Sequence, residues 1–99
     1  MKETERDLQV EESSIVESCN HCTSTKIDGE TVLLDLEDGI YYRMNSTGSY
    51  IWEKVRNPTP ISEITDYAMD EFELSREKCS QYVTRFLLRL KEKGLISFS

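Results

Sequence analysis

Two short apolar runs hinged on Glu37-Asp38-Gly39 make up Thr31 to Asn45, TVLLDLEDGIYYRMN, and this pattern predicts a β-hairpin. A two-residue hinge at Asp38-Gly39 sets Leu34 opposite Arg43 and places a cation among core residues. A three-residue loop avoids this, with a type I turn over Glu37 and Asp38 and Gly39 as the left-handed residue of a bulge. Leu36 then pairs with Ile40, Leu34 with Tyr42 and Val32 with Met44, which makes one face wholly apolar. Leu33, Asp35, Tyr41 and Arg43 take the other face. The backbone of Ile40 to Met44 becomes an exposed sheet edge, because helix rather than strand is predicted to follow.

Upstream, Thr23 to Ile27 followed by Asp28-Gly29 predicts a strand turning into the hairpin, which makes a three-stranded antiparallel meander. Ser14 to Cys19 carries Ile15 and Val16 and is a short additional strand candidate. After Met44 the apolar period lengthens to about three and a half residues. Asn45 or Ser46 caps a first helix, whose stripe is Tyr50, Ile51, Trp52 and Val55 and which ends at Asn57-Pro58. Thr59-Pro60 is a second start signal, a capping hydroxyl with proline at the first helical position, and Ile61, Ile64, Ala68 and Phe72 continue the helix. Ser75 caps a third helix with the stripe Cys79, Tyr82, Val83, Phe86, Leu87 and Leu90, and Gly94 ends it. Leu95, Ile96 and Phe98 form a short extended tail packed back on the helices. The fold class is α+β: a winged helix-turn-helix, with a three-stranded antiparallel sheet followed by three helices.

The chain has 99 residues, 37% hydrophobic and 31% charged, enough for one small core plus a polar tail. Residues 1–13 read as a flexible acidic tail and 14–99 as the folded domain. No apolar run reaches the roughly 18 residues of a membrane span, and the N-terminal residues lack signal-peptide order, so a cytoplasmic location is expected. Three cysteines, an odd count, fit a reducing compartment better than a disulfide framework.

Net charge is −7, which argues against general affinity for nucleic acid or anionic membrane. Its distribution says more. Arg76 to Lys93 holds six Lys and Arg against Glu77 and Glu92, a net +4, so the remainder of the chain carries −11. A basic helix on an acidic protein is either a solvated helix whose late cations complement the macrodipole or a cationic rim beside a binding groove.

No catalytic constellation is visible: there is one histidine, His21, and there is no Gly-rich phosphate loop, nucleophile elbow or carboxylate pair in an apolar setting. A non-catalytic protein without metal or cofactor is the expectation. Cys19-Asn20-His21-Cys22 has the spacing to begin a zinc site but lacks the second ligand pair that a structural site needs, and Cys79 falls on an apolar stripe. The second and third helices resemble a DNA-reading helix-turn-helix, with Arg76, Lys78, Arg85 and Arg89 as contacts, against the repulsive field of the whole chain. Peptide binding uses the features that these readings leave idle. An edge strand presents unpaired N–H and C=O groups that a guest satisfies by adding as a further strand, with side-chain pockets supplying selectivity.

The run VLLDLEDGIYYRMNSTGSYIWE resembles the PqqD-like proteins. In that family an aliphatic strand (Val32 to Leu36), an acidic-Gly turn (Asp38-Gly39), a tyrosine-bearing strand (Tyr41-Tyr42) and Asn45, Thr47-Gly48 and Ile51-Trp52 follow in this order. A looser match continues through Ile61 to Ala68 and Val83 to Leu95, so the resemblance covers about Asp28 to Ile96. It implies a recognition element for ribosomally synthesised and post-translationally modified peptides (RiPPs). Such an element binds a precursor's leader as an extra strand against the third strand, with the third helix as the other wall. The Asp-Gly-x-Tyr-Tyr-x-x-Asn form is most like the standalone domains of lasso-peptide clusters, whose partners are a leader peptidase and a cyclase. The resemblance assigns Ile40, Tyr41, Tyr42, Arg43 and Met44 on the edge and Tyr82, Arg85, Phe86 and Arg89 on the third helix to peptide binding. A peptide chaperone for a radical-SAM maturase and a winged-helix DNA-binding regulator are the alternatives. The acidic tail and the Cys19/Cys22 pair depart from the family pattern.

Overall fold

Local signals set most of the element ends in the computed structural model, which describes residues 13–99. The expected acidic tail lies outside the described residues except for Ser13. In chain order the elements are β1 (Ile15–Ser18), β2 (Cys22–Ile27), β3 (Glu30–Asp35), β4 (Ile40–Met44), α1 (Ser46–Val55), β5 (Thr59–Pro60), α2 (Ile61–Phe72), α3 (Arg76–Glu92) and β6 (Ile96–Phe98). Asp28 and Gly29, both at positive φ, close the β2–β3 hairpin with Ile27 opposite Glu30, the tight turn that an Asp-Gly pair favours. Asn45 caps α1 by accepting from Gly48 N at 2.8 Å, and Ser75 caps α3 by accepting from Lys78 N. Between α2 and α3 the chain reverses at Glu73, which takes a left-handed conformation while its N–H donates to Met69 O.

The strands form two antiparallel sheets, β2-β3-β4 and β5-β1-β6. The meander is the wing of a winged helix-turn-helix. The second sheet is an addition to the predicted architecture. The short strand at Ile15–Ser18 is its centre: Val16 pairs with Thr59 on one side and Phe98 on the other. The tail after Gly94 therefore packs on a strand as well as on helices, with Leu95 and Ile96 buried. This sheet also corrects the expected start of α2. The Thr59 hydroxyl lies 2.7 and 2.8 Å from the Lys54 and Asn57 carbonyls and so closes the preceding turn instead of capping the helix. Pro60 occupies the cap position itself without a side-chain bond, and Ile61 N donates to Ser14 O at 3.0 Å. The residue just before β1 thus supplies an acceptor for the first helical N–H.

The β3–β4 register is a second correction. Asp35 pairs with Ile40, Leu33 with Tyr42 and Thr31 with Met44, so Leu36 to Gly39 form a four-residue loop. Leu33, Asp35 and Thr31 are buried, Val32 and Leu34 are half-buried on the opposite face, and Leu36 is exposed. The apolar pattern alone favoured Leu34 and Leu36 inside. What reverses it is the turn: Asp35 Oδ1 accepts from Glu37 N at 2.9 Å and Asp38 N at 3.3 Å, and Gly39 N donates to Asp35 O at 2.7 Å. A carboxylate that satisfies two loop N–H groups can be buried. Tyr41 and Arg43 stay on the outward face, as expected.

The core lies between the sheets and helices. Leu33 and Met44 from the wing meet Ile51, Trp52 and Val55 of α1, Ile61, Ile64 and Ala68 of α2, and Cys79, Val83, Leu87 and Leu90 of α3.

Candidate functional site

The direction of β4's main-chain groups follows from its neighbours. Leu36 N donates to His21 O at 2.8 Å, so Leu36 turns its peptide groups toward β2. By alternation Asp35, Leu33 and Thr31 turn theirs toward β4, and their partners Ile40, Tyr42 and Met44 face back. Tyr41 and Arg43 then present N–H and C=O on the outer side. No strand pairs with that side among the described residues.

At the last rung, a side chain of α1 enters the ladder. Thr31 N donates to Ser49 Oγ at 2.7 Å, and the same hydroxyl donates to Met44 O at 3.2 Å. Ser49 thereby ties the end of the edge strand to the first helix. One residue earlier, Gly48 faces Phe86: a Cβ at this position would sit 3.1 Å from the ring. Glycine here allows α3 to close on the start of α1.

Between β4 and α3 runs a groove of about 270 Å³, lined by Tyr42, Arg43, Met44, Asn45, Tyr82, Phe86, Arg89, Leu90 and Lys93. Tyr82 and Phe86 are stacked, with centroids 6.4 Å apart and planes within 5°. Lys93 Nζ lies 5.7 Å from the centre of the Tyr42 ring. Arg43 Nε is 2.9 Å from Glu30 Oε1, a bond made on the exposed face.

Six of the nine residues named from sequence, Tyr42, Arg43, Met44, Tyr82, Phe86 and Arg89, line this groove. Ile40 and Tyr41 do not: they are exposed toward the hairpin end of β4, where Leu36 is exposed too. Arg85 is exposed and lies outside the lining, because it is one residue, about 100°, round the helix from Phe86. Asn45, Leu90 and Lys93 were missed. Leu90 read as pure core and Asn45 as a cap, whereas Lys93 continues the 82, 86, 89 spacing by one more turn and was there to be counted.

Cys19, His21 and Cys22 sit at the β1–β2 junction. His21 Nε2 is 3.8 Å from Asp35 Oδ1. Burial, with Asp35, Cys19 and Glu37 nearby, pushes the Cys22 thiol up to about 11. Among the described residues no group of three or more His, Cys, Asp or Glu side chains is placed to hold a metal ion. No helix of these residues is long and apolar enough to cross a membrane.

The profile of the family described as coenzyme PQQ synthesis protein D matches residues 30–96, the stretch from β3 to β6 that builds both walls of the groove. The chain belongs to the PqqD family. Among solved structures, TbiB1 in complex with the TbiA(beta) leader peptide is 30% identical, with a TM-score of 0.77 over 82% of this chain and 94% of that one. A lasso peptide synthetase B1 complexed with its leader peptide shares the PqqD-like fold at 21% identity, with a TM-score of 0.74 over 83% and 96% of the two chains. No curated protein matches the chain.

Proposed function

We propose that this PqqD-family protein is a RiPP recognition element that takes the leader of a ribosomally made precursor as an extra strand on β4. The observation that carries this reading is the outer side of β4, unpaired among the described residues and bordered by a groove against α3. The likeness to TbiB1, solved with a leader peptide, supports it. Guest main-chain groups bond to those of Tyr41 and Arg43. Guest side chains opposite Tyr42 and Met44, two residues apart, point into the groove against Tyr82, Phe86 and Leu90. The other guest side chains face outward beside Tyr41 and Arg43. The protein itself does no chemistry; it holds the precursor for a leader peptidase and a cyclase of a lasso pathway.

Titration with the leader segments of short precursor peptides from the protein's own genome tests the proposal. Saturable binding is expected, and Arg43→Pro should weaken it roughly tenfold, the loss of one main-chain bond plus the bulk of the ring at the edge. Arg43 N–H faces away from β3, so the variant keeps its ladder and should melt near the parent. Binding untouched by a folded Arg43→Pro variant, or no saturable binding, overturns strand addition on β4. Co-purification with a radical-SAM maturase in place of peptidase and cyclase would reassign the enzymes served and leave the binding mode standing.

A further inference from the structure

The groove has two chemically different ends. β4 and α3 pass each other in opposite directions: Phe86 lies against Gly48 beyond the end of β4, while Tyr42 lies under Lys93, two helical turns farther along α3. The first end is aromatic, with Tyr82 stacked on Phe86. The second is cationic, with Arg89 and Lys93.

The cationic end is the anomaly. The chain carries 19 acidic residues against 12 Lys and Arg, yet among the described residues no carboxylate lines the groove. Arg43 is paired with Glu30, whereas among the described residues Arg89 and Lys93 make no ion pair. Complementing the dipole of α3 accounts for basic residues in its last turn, but any solvent-facing conformer would serve that purpose. It does not account for Lys93 reaching back across the groove to rest its ammonium on Tyr42.

We infer that Lys93, with Arg89, is a specificity-determining pole that takes the carboxylate of an Asp or Glu side chain in the guest, two residues away from an apolar side chain seated against Phe86. This rests on strand addition at β4. The guest residue opposite Met44 meets the aromatic end, and the residue opposite Tyr42 meets Lys93. A guest carboxylate draws the ammonium off the ring face into an ion pair at the groove wall. A guest lysine at the same place meets two cations.

The test uses the full chain and arrayed nonapeptides with a central Leu, Glu, Gln or Lys two residues to either side, and all other positions randomised. The best Glu sequence and its Gln and Lys counterparts are then measured by fluorescence anisotropy. Glu should bind roughly three- to fivefold tighter than Gln, with Lys weakest, and the gap should shrink as salt is raised. Lys93→Arg should keep the preference, Lys93→Met should bring the Glu/Gln ratio close to one, and Lys93→Glu should invert the order of the Glu and Lys peptides. A purely structural Lys93 would not move that order. Equal binding of the Glu and Gln peptides, still weakened by Arg43→Pro, overturns the carboxylate pole and leaves strand addition in place. Binding indifferent to Arg43→Pro, or no saturable binding by any peptide, overturns both.

Discussion

The two three-stranded sheets of this protein are finished in opposite ways. In β5-β1-β6 the outer strands are stubs of two and three residues, and the main-chain bonds between Ile15 and Ser99, 2.9 and 2.8 Å, close the far end. Its work is structural, holding the segment before the wing against the segment after α3. In β2-β3-β4 the outer strand β4 runs for five residues and leaves Tyr41 and Arg43 with main-chain groups turned away from the sheet. What separates the two is the company each edge keeps. Gly48 lets Phe86 approach the start of α1, so α3 runs alongside β4 at groove distance and shelters the edge without covering it. A short edge bearing an exposed arginine also resists promiscuous pairing, which makes an edge that no strand of the described residues covers tolerable.

That contrast can be broken most forcefully at β3, whose register decides which way β4 faces. Leu33→Ala should cost about 2–5 kcal/mol in denaturant unfolding and Leu34→Ala clearly less, since only Leu33 is fully buried. Equal losses, or the reverse order, would restore the register that the apolar pattern favours. Asp35→Ala should cost roughly 1–3 kcal/mol, because two loop N–H groups lose their acceptor, and Asp35→Asn should recover part of it. If Asp35 faced water, both variants would melt with the parent. Smaller again is Ser49→Ala, about 1 kcal/mol, with faster hydrogen exchange at the Thr31 amide as its signature. An unchanged exchange rate would mean that Thr31 bonds directly to Met44 and that the hydroxyl is no relay.

The smallest effect lies where the two sheets join. Cys22 has its thiol pushed from the ordinary 9.0 up to about 11 by burial and then by Asp35, Cys19 and Glu37. Below pH 9 the thiol is neutral in both folded and unfolded chains and the full stability is present. Between about pH 9 and 11 the unfolded chain ionises first, so stability should fall as pH rises through that window. Thermal melts of the parent and Cys22→Ser, compared pH by pH, isolate this share. Parallel curves would show that the junction does not raise this thiol.

Much of this was legible residue by residue. Asp28-Gly29 specifies a tight turn through its own backbone preferences, Asn45 and Ser75 cap helices with their own side chains, and the 82, 86, 89 spacing lays one face of α3 along the groove. The meander, the three helices and most of the groove lining follow from such short-range chemistry. Where sequence reasoning went astray, the deciding partner lay elsewhere in the chain or against the grain of polarity. Thr59 bonds to carbonyls before it instead of capping α2, and β1 finds its partners more than forty and about eighty residues away in the numbering.

The sequence by itself determined the order of the meander strands and the three helices, the caps of α1 and α3, the first hairpin and the family, because each is written in residues that lie close along the chain. Tertiary structure alone decided the second sheet and the seating of Lys93 over Tyr42. The wing's register stands between the two, set by the bonds of Asp35 to its own turn against the apolar pattern. The physical reason is that pairing distant strands and bringing α3 beside β4 are favourable only once the rest of the core has formed around them, whereas a turn carries its own hydrogen bonds.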